Sequence, residues 1–185
     1  MKSLAEQSGL TGILTFQTFP IESPRASQID QLLGSGMLSA GQFSALLHEL
    51  TQISKPRTLV VPNLVVLAGR AVIAQRLIGD LTYTGTINYG ALGTDSTAVN
   101  AADTTLGTEV ARKLFARRTR TNAQVNLDFY YSQADTDGTY EEFGMVVDGT
   151  ATADTRQLFN HALTGGWTKT NTEAMTISVQ ININP

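Results

Sequence analysis

Acid–base or nucleophilic catalysis requires convergent polar groups, usually built on a histidine, a cysteine or a pair of carboxylates. The 185-residue chain has no cysteine and two histidines, His48 and His161. His48 stands beside Glu49 on the polar face of an expected helix, and His161 stands between Asn160 and Ala162 in an expected strand. Neither belongs to a G-x-S-x-G or H-E-x-x-H arrangement, which would present the reacting groups together on a turn or a helix face. Both are therefore read as structural. Without cysteine there is neither a disulfide nor a thiolate metal site, and the fold must hold by packing. The Asp135-Thr-Asp-Gly138 run begins like a calcium loop, but Thr139 and Tyr140 follow it. Counted from Asp135, the position that needs a bidentate Glu is Val146. An Asp-Gly hairpin turn is the better reading. Gly90-Ala-Leu-Gly93 lacks the Lys-Ser/Thr of a phosphate-binding loop, and no G-x-G-x-x-G occurs. No catalytic residue, metal or cofactor is expected.

The charge layout says more. Arg112, Lys113, Arg117, Arg118 and Arg120 hold five of the thirteen basic residues within a single short segment. The stretch from Thr121 to Asp154 then carries Asp128, Asp135, Asp137, Glu141, Glu142, Asp148 and Asp154 with no Lys or Arg. Three readings fit: an edge strand protected by solvated charge, oppositely charged flanks that orient subunits, and a grip on nucleic acid. The cluster has no aromatic interleaving beyond Phe115 and the net charge is −3, so nucleic acid is disfavoured. On the second reading these five residues are candidate subunit contacts.

The elements that must position these groups are mostly strands. The chain is 42% hydrophobic and 16% charged, and rich in Thr, Gly and Asn, as in β proteins with many turns. Met175, Ile177, Val179, Ile181 and Ile183 alternate with Thr176, Ser178, Gln180, Asn182 and Asn184, which places one apolar face over a core and leaves the other wet. Further strands are expected at 83–89, 113–120, 123–132, 140–147 and 156–163, with a short one at 59–61. Residues 1–26, broken by Gly9, Gly12, Pro20 and Pro24, are expected to form an extended arm, with at most one strand. Ser27 is expected to cap a short helix, 28–33, that Gly34 and Gly36 end. In a second helix Ser39 and Gln42 make a capping box, and Phe43, Leu46, Leu47 and Leu50 form one apolar stripe. That stripe either covers the protein's own sheet or docks a partner, and these four residues join the candidate contacts. A buried helix is expected over 64–78, capped by Asn63 and stopped at Gly79; residues 106–113 are expected to be a helical turn or irregular. The expected fold is mainly β, an antiparallel, jelly-roll-like β-sandwich over 60–185, preceded by an arm and short helices over 1–59. The first residues lack a signal-peptide apolar region, and polar residues interrupt the most apolar stretch, so neither secretion nor a membrane span is expected.

Several phrases in order resemble a group of tailed-bacteriophage structural proteins. They are Ile87-Asn-Tyr-Gly-Ala-Leu-Gly-Thr94, Asp103-Thr-Thr-Leu-Gly-Thr-Glu109 with Arg112, Glu142-Phe-Gly-Met145, and the closing Met175-Thr-Ile-Ser-Val179. The resemblance covers about residues 60–184. Asp95 stands where the group usually has Gly, and Met145-Val146 replaces a Leu-Phe pair. The resemblance implies a non-enzymatic virion component, made in a bacterial cytoplasm, whose partners are other virion proteins and further copies of itself. A head decoration (cement) protein is the first reading, a baseplate or fibre-anchoring tail protein the second, and a glycan-binding module the third. Neither nucleic acid nor membrane is an expected partner.

Overall fold

The structure, a computed structural model, describes residues 9–183. Residues 1–8 of the expected arm and the last two residues of the expected closing segment lie outside the described residues. The element order is β1 (Leu10–Pro20), α1 (Pro24–Gly34), α2 (Ala40–Ile53), β2 (Arg57–Val65), α3 (Leu67–Leu77), β3 (Ile87–Gly93), β4 (Glu109–Leu114), β5 (Arg117–Thr121), β6 (Gln124–Tyr131), β7 (Gly138–Val147), β8 (Gln157–Lys169) and β9 (Glu173–Ile183). All strands belong to one antiparallel sheet in the order β4-β3-β7-β8-β2-β1-β9-β6-β5. The sheet is curled with its apolar face inward. Phe16 of β1 meets Phe143 of β7 edge-on, with ring centroids 5.9 Å apart, and Phe129 of β6 lies 5.8 Å from Phe143. Distant strands thus share one core. Gly90 of β3 lies against the Phe129 ring, where a Cβ would sit 2.7 Å from ring carbons, and the Tyr131 hydroxyl donates to the Gly90 carbonyl at 2.9 Å. Only glycine permits that approach.

The two outermost strands, β4 and β5, are consecutive in the chain. Between them the Phe115 amide donates to the Asn88 carbonyl at 3.0 Å and the Ala116 amide to the Asp128 carbonyl at 2.7 Å. One stretch of backbone therefore crosses from one end of the sheet to the other, so the two outer edges are joined by a two-residue step.

The expected arm is, from Leu10 onward, an interior strand of the sheet. β1 pairs with β9 along its whole length and with β2 from Gly12 to Thr18. Leu14, Phe16 and Phe19 have no exposed surface. The glycine and proline breaks conceal this role, because Gly12 is needed where the Asn63 side chain crosses the strand and Pro20 closes it. The outside of the sheet is covered by α1 and α2, whose Ile29, Leu33, Phe43 and Leu50 pack with Phe19, Tyr130 and Ala174. The helical stripe covers the protein's own sheet. α1 begins at Pro24 rather than after Ser27: Ser23 is the cap, its Oγ accepting from the Ala26 amide at 3.1 Å, and proline at the first turn has its φ already set. In α2 the Ser39–Gln42 capping box forms as read.

Other boundaries move for physical reasons. Asn63 is buried in β2 and caps nothing; α3 starts at Leu67, and its free Leu67 amide donates to the Ala101 carbonyl at 2.7 Å. Rather than being buried all round, α3 buries Gly69 and Val72, while Leu77 and Ile78 at its end are both 83% exposed. Gly79 does take the left-handed conformation expected of a helix stop, with φ of +79°. The expected strand over 83–89 is displaced to 87–93, and 109–114 is a strand, not a helical turn. β8 runs past Leu163 to Lys169 through a bulge at Gly165 and Gly166, both at positive φ. Asp135–Gly138 is not a hairpin, because β6 and β7 do not pair; it carries the chain between the two halves of the sheet. Among the described residues, no helix is long and apolar enough to cross a membrane.

β9 keeps its alternation on the inner face, where Met175, Ile177, Val179 and Ile181 are all buried, but Ile183, at the end of the strand, is exposed. The outer face is only partly wet, since Thr176 is also fully buried and the Ser178 hydroxyl donates to Asp128 at 2.6 Å. Val179→Asp should abolish cooperative unfolding, whereas Gln180→Asp, on the opposite and half-exposed face, should shift stability by about 1 kcal/mol or less. Urea melts of the two variants check this, and equal tolerance at both positions would refute a buried inner face.

Candidate functional site

The most concentrated polar chemistry lies where the loop after β3 folds back over β7 and β8. Glu142 of β7 is 1% exposed. Opposite it in the ladder stands Gly93, whose missing side chain leaves the space that the carboxylate fills. Glu142 Oε1 accepts from the Thr108 amide at 2.9 Å and the Asp95 amide at 3.3 Å, and Oε2 accepts from the Gly107 amide at 3.0 Å. The same Oε2 lies 2.8 Å from His161 Nε2, and His161 Nδ1 lies 2.7 Å from Asp103 Oδ2. Asp103 Oδ2 also accepts from the Asn100 amide at 2.8 Å. One buried carboxylate thus gathers both ends of the 94–108 loop, while the imidazole links it to the middle. Beside them is a polar cavity of about 380 Å³, lined in part by Asp95, Thr97, Asp103 and Thr105.

The hydrogen-bond inventory limits what this cluster can do. A neutral imidazole donates from one nitrogen only, so two hydrogen bonds to two carboxylates require one further proton, on the ring or on a carboxyl group. A general base needs a nitrogen lone pair aimed at substrate. Here both ring nitrogens are occupied by carboxylates, and among the described residues no hydroxyl or amine is hydrogen-bonded to the ring. Among the described residues, no three His, Asp or Glu side chains are placed to hold a metal ion. The cluster is built to tie a loop down.

A second buried tie lies in β4. Arg112 and Glu109 form a bidentate pair, Nε to Oε1 at 2.5 Å and Nη2 to Oε2 at 2.6 Å, with side chains 4% and 2% exposed. Residues three apart in a regular strand face opposite ways. The pair forms because Leu92 opposes Ala111 while Gly93 opposes Glu109, so Val110 bulges out and turns Glu109 to the same face as Arg112. Arg112 Nη1 donates to the Thr150 carbonyl at 3.0 Å, and the Asp154 amide donates to Glu109 Oε2 at 3.1 Å, so the pair also holds the turn between β7 and β8.

Three of the five clustered basic residues are paired inside the chain. Besides Arg112, Lys113 meets Asp135 at 2.5 Å, and Arg117 meets Asp128 at 2.5 Å while donating to the Ser44 hydroxyl at 2.8 Å. The acidic flank that balances the cluster is thus the protein's own. Arg118 and Arg120 are exposed: Arg118 lies over the Phe115 ring at 4.6 Å, and Arg120 donates to the Asn122 carbonyl at 2.8 Å. Of the helical contact candidates, Phe43 and Leu50 are buried and Leu46 and Leu47 are half-buried. Sequence reading missed the grouping of Asp95, Asp103, Glu142 and His161. Asp103 and Glu142 lie within the phage-like phrases, so they could have been singled out. His161 lies outside those phrases, and only the β7–β8 register brings it to Glu142.

The Asp135 carboxylate carries a testable pH response. Burial pushes its pKa up, but the Lys113 ammonium and the Ser132 hydroxyl and amide outweigh that and hold it below the ordinary aspartate range. A depressed acid stabilises the fold above its unfolded-state pKa, and the contribution disappears as pH falls through the folded value. Asp30 acts in the opposite sense, since burial raises it and protonation favours the folded form. Lys113→Met should therefore shrink the stability lost between neutral pH and about pH 3, as measured by denaturant midpoints across that range. An unchanged acid limb would mean that the pair contributes nothing to folding.

Comparison with protein-family models, with curated proteins and with solved structures finds no match for this chain.

Proposed function

We propose that the chain is a non-enzymatic structural component of a tailed-phage virion, in the first place a head decoration protein that binds and stabilises neighbouring subunits. The observation that supports this reading is how the phage-like phrases are used. Gly93, Asp103, Gly107, Glu109, Arg112 and Glu142 all serve internal ties that fix the 94–108 loop and the β7–β8 turn. Residues in phrases that resemble a structural family, and that are spent on rigidity, suit a protein whose task is to hold a shape. On this reading the facing halves of the curled sheet act as the two layers of a sandwich, and the exposed Leu77, Ile78 and Leu81 meet a neighbouring subunit. Immunogold labelling of virions purified from cells carrying the gene tests the proposal. Label over the head is the expected result, label confined to the tail would replace decoration with an anchoring role, and particles without label would overturn the virion reading.

A further inference from the structure

Between α3 and strands β3, β5, β6 and β9 lies a cavity of about 490 Å³, within the roughly 300–1,000 Å³ of small-molecule sites. Its wall is almost entirely carbon, with Ile73, Ile87, Val125, Leu127, Phe159 and Ile181 prominent. Two charged side chains reach it, Arg118 and Arg120. The register explains their placement: Arg118 stands opposite Leu127 and Arg120 opposite Val125, so both side chains leave the strand on the face that carries the apolar wall. Their neighbour Arg117 points the other way, to Asp128 and Ser44. The other three members of the basic cluster each meet a carboxylate. Arg118 and Arg120 meet none among the described residues.

We propose that this cavity binds a monomeric amphipathic anion, its unbranched apolar chain in the hollow and its carboxylate or phosphate head on Arg118 and Arg120. A guanidinium presents a planar fork of donors that matches such a head, and its contacts to an anion are stronger than neutral hydrogen bonds. The wall suits an alkyl chain better than an extended peptide. An extended peptide could pair only along the free edge of β5, and its remaining backbone N–H and C=O groups would lie against carbon. An alkyl chain carries no such groups.

Isothermal titration of the full chain with dodecanoate tests the proposal. One saturable equivalent is expected, with dodecanol binding more weakly and Arg118→Ala with Arg120→Ala weakening dodecanoate by about tenfold or more. Both arginines are exposed, so circular dichroism should show the double variant folded. Ile73→Trp, which fills the hollow and spares the arginines, should also abolish binding. Absence of saturable binding, several equivalents per chain, or affinity untouched by the arginine substitutions would each overturn the proposal. So would sedimentation with phosphatidylglycerol vesicles that dodecanoate does not compete, which would assign the arginines to a membrane headgroup instead.

Discussion

Glu142→Ala should remove about 3–5 kcal/mol of stability, a large part of the roughly 5–15 kcal/mol typical of a domain. The cost comes from what is left behind. Three amides, those of Asp95, Gly107 and Thr108, lose their acceptor, and His161 loses the partner of its Nε2. These bonds are part-buried, so each orphaned donor costs near the lower end of about 1–3 kcal/mol, and together with the stranded His161 they outweigh the modest volume lost. Glu142→Gln separates charge from shape. Its amide keeps one oxygen for the loop but turns an NH₂ toward donors, so it should recover only a small part of the loss. Denaturant midpoints give the magnitude, and hydrogen exchange at the three amides gives the location. An unchanged midpoint with those amides still protected would show that Glu142 is not the clasp.

Removing residues 1–20 should prevent cooperative folding altogether. The deletion takes out the strand between β2 and β9, leaving two ladders unpaired, and it removes Leu14, Phe16 and Phe19 from positions with no solvent exposure. Phe16 meets the Phe143 ring and lies 6.4 Å from Trp167, so the single change Phe16→Ala should cost about 3–5 kcal/mol. A dispensable arm would give the opposite outcome, a truncated chain with a sharp unfolding transition and dispersed amide resonances. Circular dichroism and a single proton–nitrogen correlation spectrum decide between them.

Local signals in the chain were readable where one element supplied them. The Ser39–Gln42 box and the stop at Gly79 depend on residues close in sequence and are found as read, and the apolar parity of β9 holds from Met175 to Ile181. What could not be read depends on register between distant strands. β1 looks dispensable because its glycine serves a neighbour's side chain, Asn63, which lies far along the chain. The Glu109–Arg112 pair arises from a bulge that no propensity announces. His161 gains its partners only because β8 runs beside β7 and the loop after β3 folds over both. The charge asymmetry was visible and its sign pattern meaningful, but it resolves within one chain because Arg117 faces Asp128 across adjacent strands.

The pairing of β1 with β9, in which Leu10 stands opposite Ile183, constrains how the protein can be born. A ribosome delivers β1 before β9, so Leu14, Phe16 and Phe19 must wait, without their final partner, for all the strands between them to emerge. Contacts this distant in sequence carry a large loop-closure cost and slow folding. The nascent chain therefore passes through a long interval with an apolar strand unsheltered, during which aggregation competes. Folding yield in the cell should depend on translation speed and chaperone supply more than on the final stability of the sheet.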